Sequence, residues 1–416
     1  MGDNEGGPAR FRDAFGVRQF RTLWTAYALS VCGDQLAAVA LSVLVYGRTG
    51  SPAWAALTYA LTFLPDLLGG PLLAGLADLF PRKYVMIAAD VSRAILVGLM
   101  AIPGQSIAAL VVLLFVVQLL SSPFTAARGA AVPAMLTGDR YVAGMTIMRM
   151  TFQLGSVAGF AVGGAVLAGL GTSRALLIDA LTFVASALLV TFGVGVHRPT
   201  GTATKRPSWW ATVSGGMRLV AGDRRLRSLI GLACVSGAYV VPEGLAVAYA
   251  AQLHGSSTIV GILMAANPAG MVLGMVVLQR LRPTVRLILF GPLAVATCAV
   301  LVPTAWAPGV LVSVILWFVS GVGSAYNMVT QATFVQQVPD QRRGQALGLA
   351  NTALRVAQGI GIVGAGLLAQ LFAPGSVIGV IGAAGMVIAA VAANAWARAA
   401  SPRATMARGA AGDISP

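Results

Sequence analysis

Charged residues are scarce in this chain. Asp, Glu, Lys and Arg make up only 10% of its 416 residues, against about 25% in a soluble protein. Hydrophobic residues make up 57%, and the mean hydropathy is +0.82. A water-soluble domain of this composition lacks the polar side chains that would cover its surface. The composition therefore excludes an ordinary soluble protein and predicts an all-α membrane protein whose partner is the lipid bilayer.

Cysteine and histidine are scarcer still, with three and two residues. Cys32, Cys234 and Cys298 lie inside apolar stretches, which argues against a disulfide framework between loops. His197 and His254 lie at the ends of such stretches without a matching set of ligands. We expect no metal, no cofactor and no enzyme activity, because the chain offers neither a metal cluster nor a nucleophile with its base.

Lysine is almost absent, so the net charge of +15 comes from arginine. In a soluble protein such an excess would indicate nucleic-acid binding. Here the basic residues lie between apolar stretches, as they do in the cytoplasmic loops of membrane proteins. We therefore expect no nucleic-acid partner.

Twelve apolar stretches are long enough to cross a bilayer as helices, which takes about 20 residues each. We predict an N-terminal six-helix bundle (1–196), a cytoplasmic linker (197–226), a C-terminal six-helix bundle (227–398) and a cytoplasmic tail (399–416). Apolar residues at helical spacing in the linker indicate an amphipathic helix, which lies on the membrane or packs against the protein. These residues are Trp209, Trp210, Val213, Met217 and Val220. The predicted spans, numbered 1 to 12, are 20–47, 53–77, 84–102, 107–134, 142–170, 174–196, 227–251, 256–279, 285–303, 307–335, 345–372 and 375–397.

The cations between the spans set the orientation. With the amino terminus inside, the cytoplasmic segments hold 22 Arg and Lys residues, whereas the outer segments hold two, Arg48 and Arg174. Since cytoplasmic loops are enriched in cations, both termini are predicted to be cytoplasmic. We expect a multi-pass protein of the inner (plasma) membrane of a bacterium.

The two halves resemble repeats of one unit. Arg149 in span 5 and Arg355 in span 11 each precede a glycine-rich run. Small residues spaced by four let two helix backbones approach closely. The sequence therefore predicts two pseudo-symmetric six-helix bundles, an arrangement found in many transporters. The run in span 5 consists of Gly155, Gly159, Gly163 and Gly164.

Ionisable side chains within a membrane span are costly, and this makes them candidate functional residues. At 1.5 Å per residue, Asp34, Asp66 and Glu243 lie about 17–22 Å from the cytoplasmic ends of their spans, near the midplane. The same count places three residues nearer the inner surface and Asp179 nearer the outer one. The nine ionisable residues within the spans are Asp34, Asp66, Asp90, Arg93, Arg128, Arg149, Asp179, Glu243 and Arg355.

A carboxylate in a low-dielectric cavity can exchange protons near neutral pH, so the three deep acids are candidates for proton coupling. Asp34 is the first choice, because its small neighbour Gly33 leaves room for access and its apolar flanks would penalise an unpaired anion. Glu243 is the second choice. The alternative is a structural salt bridge, such as one between Glu243 and Arg355.

The connection between spans 2 and 3, residues 74–83, reads Ala-Gly-Leu-Ala-Asp-Leu-Phe-Pro-Arg-Lys. It resembles the signature Gly-x-Leu-Ala-Asp-Arg-x-Gly-Arg-Arg/Lys of the major facilitator superfamily. The resemblance implies a conformational latch that holds one state of the protein shut, with a static loop anchor as the alternative. The residues of this predicted latch are Asp78, Arg82, Lys83, Arg128, Asp90 and Arg93.

Two further stretches carry a finer resemblance. The span 5 glycines resemble the signature Gly-x3-Gly-Pro-x2-Gly-Gly of the drug/proton antiporter branch, with Phe160 in place of proline. Gly33-Asp34-Gln35 and Pro242-Glu243 resemble the enterobactin-exporter and Tap-type efflux subgroup. The resemblance implies a central cavity that holds the proton-coupling and substrate-binding residues Asp34, Asp66, Glu243, Arg149 and Arg355.

The function implied by this resemblance is proton-coupled export of small amphipathic molecules such as drugs, by alternating access. We expect the transporter to be a monomer. A dedicated exporter or flippase of one siderophore or lysophospholipid would share every feature above. A non-transporting membrane receptor or scaffold is a more distant alternative.

Overall fold

The computed structural model describes residues 11–65, 68–69, 73, 76–196, 217–218, 220–338 and 343–400. The described chain is helical almost throughout, as predicted. It divides into two compact units. Unit 1 comprises Met1–Lys205 and Gly255–Pro268, and unit 2 comprises Arg206–His254 and Ala269–Pro416. Most of the predicted linker and its amphipathic helix lies outside the described residues, so the predicted domain limits remain predictions.

Unit 1 is a bundle built around one long helix. This helix, α2 (Arg18–Thr49), packs most extensively against α8 (Thr172–Gly193) and then against α7 (Gly138–Leu170). Helix α5 (Arg82–Met100) packs against α6 (Ile107–Met135) and α8. Apolar side chains of these helices, including Phe20, Met86, Phe124 and Val190, form one buried core. The helices of unit 1 are α1 (Phe11–Phe15), α2 (Arg18–Thr49), α3 (Pro52–Ala60), α4 (Leu76–Leu79), α5 (Arg82–Met100), α6 (Ile107–Met135), α7 (Gly138–Leu170) and α8 (Thr172–Gly193).

Local sequence explains where several of these helices begin and end. Gly50 ends α2 in the left-handed conformation, at φ 62°, which glycine adopts without steric cost. Ser51 and Ser106 accept hydrogen bonds from backbone N–H groups in the first turns of α3 and α6. Such N-terminal caps satisfy donors that the helix itself leaves unpaired.

In unit 2 two spans are divided into shorter helices at single residues. Predicted span 7 is divided into α9 (Arg224–Cys234), α10 (Ser236–Tyr239) and α11 (Val241–Gln252), and span 10 into α14 (Val310–Ser324) and α15 (Tyr326–Gln337). The remaining helices are α12 (Ser257–Arg280), which begins in unit 1, α13 (Pro283–Ala299), a short 3-10 helix (Val302–Trp306), α16 (Arg343–Leu368) and α17 (Pro374–Ala400).

Ten stretches of the described chain are long and apolar enough to cross a membrane, and they correspond to ten of the twelve predicted spans. Predicted span 3 corresponds to α5, which is long enough but carries several charged residues. Predicted span 2 is represented by α3 and α4, and residues 61–65 between them are turns and bends. The structure is thus consistent with twelve spans.

Candidate functional site

Arg93 lies at the centre of a set of buried charges in unit 1. Its Nη2 donates to Asp34 Oδ1 at 2.7 Å, which joins α5 to α2. Its Nη1 lies 4.0 Å from Asp90 Oδ1, one turn earlier on α5. The guanidinium also stacks on Phe183 of α8, with Cζ 4.0 Å from the ring centroid. The Arg93 side chain is only 2% exposed, so these contacts replace part of its hydration, and its Nε has no hydrogen-bond partner.

Each neighbouring carboxylate is held by a hydroxyl group. Ser186 of α8 donates to Asp90 Oδ2 at 2.6 Å. Thr182 of the same helix donates to the Asp179 carboxylate at 3.3 Å and to the Asp179 carbonyl at 2.8 Å. Asp179 interacts electrostatically with both Asp34 and Arg93. We call Asp34, Asp90, Arg93 and Asp179 the buried charge cluster.

Gly33 makes room for this cluster. A Cβ atom at this position would overlap Asp179 Oδ1 and Thr182 Oγ1. The missing side chain therefore lets the Asp179 carboxylate lie directly against the backbone of α2, one residue before Asp34.

Arg128 is a second cation close to the cluster. Its guanidinium stacks on the Tyr27 ring of α2, with Cζ 3.6 Å from the centroid. It also interacts electrostatically with Asp90 and Arg93. Three carboxylates and two arginines are thus gathered among α2, α5, α6 and α8. If all of them are ionised, these five groups carry a net charge of −1.

The members of the cluster differ in how far the packed chain buries them. Asp90 and Asp179 are fully buried, at 0% and 1% exposed. The Asp34 side chain is 28% exposed. Asp34 is therefore the least buried carboxylate of the cluster, and its protonation would weaken the bond to Arg93.

This geometry adds to the sequence analysis and corrects it. The sequence named no partner for Asp34, and the structure pairs it with Arg93. Counting residues from span ends placed Asp179 and Asp34 at different depths, and that was wrong. The count fails because α2 has 32 residues and α8 only 22, so their ends do not define a common membrane surface.

The other predicted cavity residues lie on other helices. Glu243 is buried at 9% exposure in α11 of unit 2, and Arg355 is half-buried in α16. Arg149 is exposed on α7. Asp66 lies outside the described residues. The structure therefore joins Asp34 to Asp90, Arg93 and Asp179.

The predicted latch is described in part. Arg82 donates to the Ala130 carbonyl of α6 at 2.7 Å, and Lys83 is half-buried at the start of α5. Asp78 lies in α4, and its side chain is outside the described residues. The role of Asp78 in the latch therefore remains a prediction.

Of the span 5 glycines, Gly155, Gly159 and Gly163 lie on the face of α7 that packs on α2, whereas Gly164 lies against Gly261 of α12. A Cβ added to any of the three would come too close to α2. It would lie 2.8 Å from Val31 Cγ1 at Gly155, and 2.7 Å from the Cys32 carbonyl oxygen at Gly159. At Gly163 it would lie 3.1 Å from Leu36 Cα. These three glycines therefore serve close helix packing beside the buried charge cluster. Gly164 is also buried.

Sequence reasoning missed Thr182, Phe183 and Ser186, and it named Asp179 only as an ionisable residue within a span, without joining it to Asp34. The four residues share one face of α8, at spacings of three or four residues. The sequence did offer one signal, namely the number of acids within the spans. Each ionised acid in a bilayer requires a nearby cation, so an arginine within a span was the expected partner. Arg93 is the arginine that meets three of these acids.

The chain matches the family model described as Major Facilitator Superfamily over residues 23–361 and 229–413. It is 24% identical over 374 residues to the MFS-type transporter YfiS of Bacillus subtilis (strain 168), covering 86% of this chain and 88% of that protein. It is also 24% identical over 271 residues to YvqJ of the same organism, covering 62% of this chain and 64% of that protein.

Solved structures of transporters share the fold. A POT family transporter in complex with 5-aminolevulinic acid has a TM-score of 0.74 at 11% identity, covering 92% of this chain and 97% of that chain. The nucleoside transporter NupG has a TM-score of 0.70 at 14% identity, covering 91% and 99%. A bacterial homolog of the human lysosomal transporter Spinster has a TM-score of 0.64 at 15% identity, covering 95% and 96%. The chain therefore belongs to the major facilitator superfamily and is a multi-pass membrane transporter.

Proposed function

We propose that this transporter exports small amphipathic molecules in exchange for protons, and that the Asp34–Arg93 pair couples the two movements. The observation that carries the proposal is the charge balance of the site. Asp34, Asp90 and Asp179 face two arginines, and a net charge of −1 in a buried site is costly. One bound proton removes that charge.

The geometry supports Asp34 as the proton's point of exchange. Its side chain is 28% exposed, whereas Asp90 and Asp179 are buried, so we place the exchange of the proton at Asp34. Asp179, which lies against the adjacent Gly33, can share the same proton. Interacting carboxylates of this kind titrate as one system.

Protonation of Asp34 would also change how the helices are held together. The 2.7 Å bond from Arg93 is charge-assisted, and such bonds are about twice as strong as neutral ones. When Asp34 takes up a proton, Arg93 keeps Asp90 at 4.0 Å and the Phe183 ring. The α2–α5 contact thereby weakens, so proton binding favours one packing of unit 1 over another. This is the differential interaction that an alternating-access switch requires.

The direction of transport and the kind of substrate rest on the efflux resemblance of span 1, span 5 and span 7. A dedicated exporter of one siderophore or lysophospholipid would use the same coupling device. A receptor or scaffold has no use for an exchangeable proton in the bilayer. The solved structures named above differ in what they transport, so their likeness supports the fold alone.

Reconstitution into proteoliposomes under an imposed pH gradient tests the proposal. Ethidium, a catecholate siderophore and a fluorescent lysophospholipid are offered in turn, with nigericin added to collapse the gradient as the control. We expect gradient-dependent accumulation of ethidium that nigericin abolishes. Accumulation of the siderophore or the lysolipid alone would favour the dedicated exporter. Ethidium movement that ignores the gradient would refute proton coupling.

A further inference from the structure

An open groove lies in unit 1 between the first turns of α2 and the last turns of α8. Its volume is about 490 Å³. Arg18 and Thr22, one turn apart on α2, form one wall. The other wall is a single face of α8, because its residues recur at helical spacing. They are Ala185, Leu188, Leu189, Phe192 and Gly193.

The groove faces the lipid. Leu188 and Phe192 on its wall are apolar, yet they are 52% and 81% exposed. From Ala185 to Gly193 the groove runs about 12 Å along α8, at 1.5 Å per residue. The hydrocarbon core of a bilayer is about 30 Å thick, so the groove lies within one leaflet. The predicted cytoplasmic termini place it in the inner leaflet.

Two contacts close the groove where α8 ends. Gly193 lies against α2, and a Cβ added there would overlap the Thr22 side chain. The Gly195 N–H donates to Gln19 Oε1 at 3.4 Å. The Thr22 hydroxyl donates to the Arg18 carbonyl at 3.0 Å, so its proton is already engaged within the helix. Of the described residues that line the groove, Arg18 is therefore the one that offers hydrogen-bond donors to a ligand.

Positive charge prevails around this end of the groove. Arg12, Arg18 and Arg21 are exposed, and they are accompanied by one exposed acid, Asp13. A guanidinium group binds phosphate oxygens through paired, charge-assisted hydrogen bonds. The complementary ligand has a phosphate group at one end, an apolar chain that follows the groove, and a net negative charge.

We propose that this groove binds an anionic phospholipid, with one acyl chain along α8 and the phosphate group on Arg18. Lipid tails are as apolar as the leucines of the wall, so a chain gains little free energy by entering the groove. The head group therefore decides which lipid is bound. The site goes beyond the proposed export function and does not depend on it, although its lipid would contact the two helices that carry Asp34 and Asp179.

Native mass spectrometry of the full-length protein, purified in detergent and delipidated, measures the affinity of the first bound lipid. Dioleoylphosphatidylglycerol and dioleoylphosphatidylcholine have the same chains and phosphate group but differ in net charge, and glycerol phosphate carries the charge without the chains. We expect phosphatidylglycerol to bind about tenfold more tightly than phosphatidylcholine, a difference of about 1.4 kcal/mol. Glycerol phosphate should not bind detectably.

Two variants of α2 test the head-group contact. Arg18→Gln should abolish the preference for phosphatidylglycerol, whereas Arg18→Lys keeps the charge and should retain most of it. Arg21→Gln is the matched control, because it removes the same charge from an exposed position of α2 outside the groove wall. It should change the affinity by no more than about twofold, which is about 0.4 kcal/mol.

Two variants of α8 test the chain contact. Ala185→Phe places a large ring in the groove and should weaken phosphatidylglycerol several-fold. Val184→Phe adds a ring at the neighbouring position, which is exposed and outside the groove wall, and should leave the affinity unchanged.

Photolabelling of the wild type tests the site without any variant. Phosphatidylglycerol with a diazirine in its acyl chain should label the segment 185–193, and unlabelled phosphatidylglycerol should compete. Three results would overturn the site: equal affinity for the two lipids, an equal loss in Arg18→Gln and Arg21→Gln, which means general surface charge alone, or labelling confined to other helices. Normal affinity in a folded Ala185→Phe protein would also contradict it. Because neither assay uses a substrate or a pH gradient, its failure is distinct from a failure of the export proposal.

Discussion

Replacement of Arg93 by methionine is the most severe test of the buried charge cluster. Arg93→Met keeps a long flexible side chain but leaves the Asp90 carboxylate, which is 0% exposed, without its nearest cation. Removing one partner of a buried ion pair costs about 3–5 kcal/mol, because the other charge stays buried. We expect a loss of that size in the free energy of unfolding, measured by titration of mixed micelles with sodium dodecyl sulfate and followed by tryptophan fluorescence.

A second substitution should restore much of the loss. Asn at position 90 keeps the acceptor for the Ser186 hydroxyl but carries no charge, so Arg93→Met with Asp90→Asn should be more stable than Arg93→Met alone. The loss in the single variant should also shrink as the pH falls, because a protonated carboxyl group needs no cation. Arg149→Met, a change of the same kind at an exposed position, serves as the control. If Arg93→Met is no more destabilising than this control, or if Asp90→Asn adds a further loss, the ionic account of the cluster is wrong.

Three further predictions concern close packing and the latch. Gly33→Ala should destabilise the protein by about 1–3 kcal/mol, because the added Cβ has no room. The control, Gly47→Ala on the same helix, places its Cβ in open space and should be neutral or stabilising. Equal effects of the two variants in the same unfolding titration would contradict the close packing at Gly33. Gly361→Ala should also destabilise the protein, because the added Cβ would overlap the backbone of α10. Gly364→Ala in the same helix, α16, should not destabilise it. A Gly361→Ala protein as stable as the wild type would show that α10 and α16 can move apart without cost. Asp78→Asn should slow ethidium transport several-fold while equilibrium binding of ethidium stays unchanged, and transport at the wild-type rate would refute the latch.

The fold could be predicted from the sequence because its signals are local. Runs of about 20 apolar residues mark most of the spans, and the residues around Asp78 match a superfamily signature. The family membership was confirmed. The interruption of span 7 was also readable in principle, since Pro242 lies inside an apolar run and removes one helical hydrogen bond.

The candidate site could be predicted only in part. Asp34 was identified by its position within a span, but its partner Arg93 lies 59 residues away on another helix. The hydrophobic pattern gives no distance between residues on different helices. Gly33 was interpreted as room for water or substrate, and the structure fills this space with the Asp179 carboxylate and the Thr182 hydroxyl. The choice among several acids in the spans depends on such contacts, which only the packed structure supplies.

The central claim, that Asp34 carries the coupling proton, is tested most directly by one comparison in proteoliposomes. Accumulation of ethidium under an imposed pH gradient and its exchange without a gradient are measured for the wild type and Asp34→Asn. Asparagine keeps the size of the side chain but cannot exchange a proton. The account predicts that Asp34→Asn loses gradient-driven accumulation and retains exchange. Accumulation at the wild-type level in Asp34→Asn would contradict it and would assign the proton to another carboxylate.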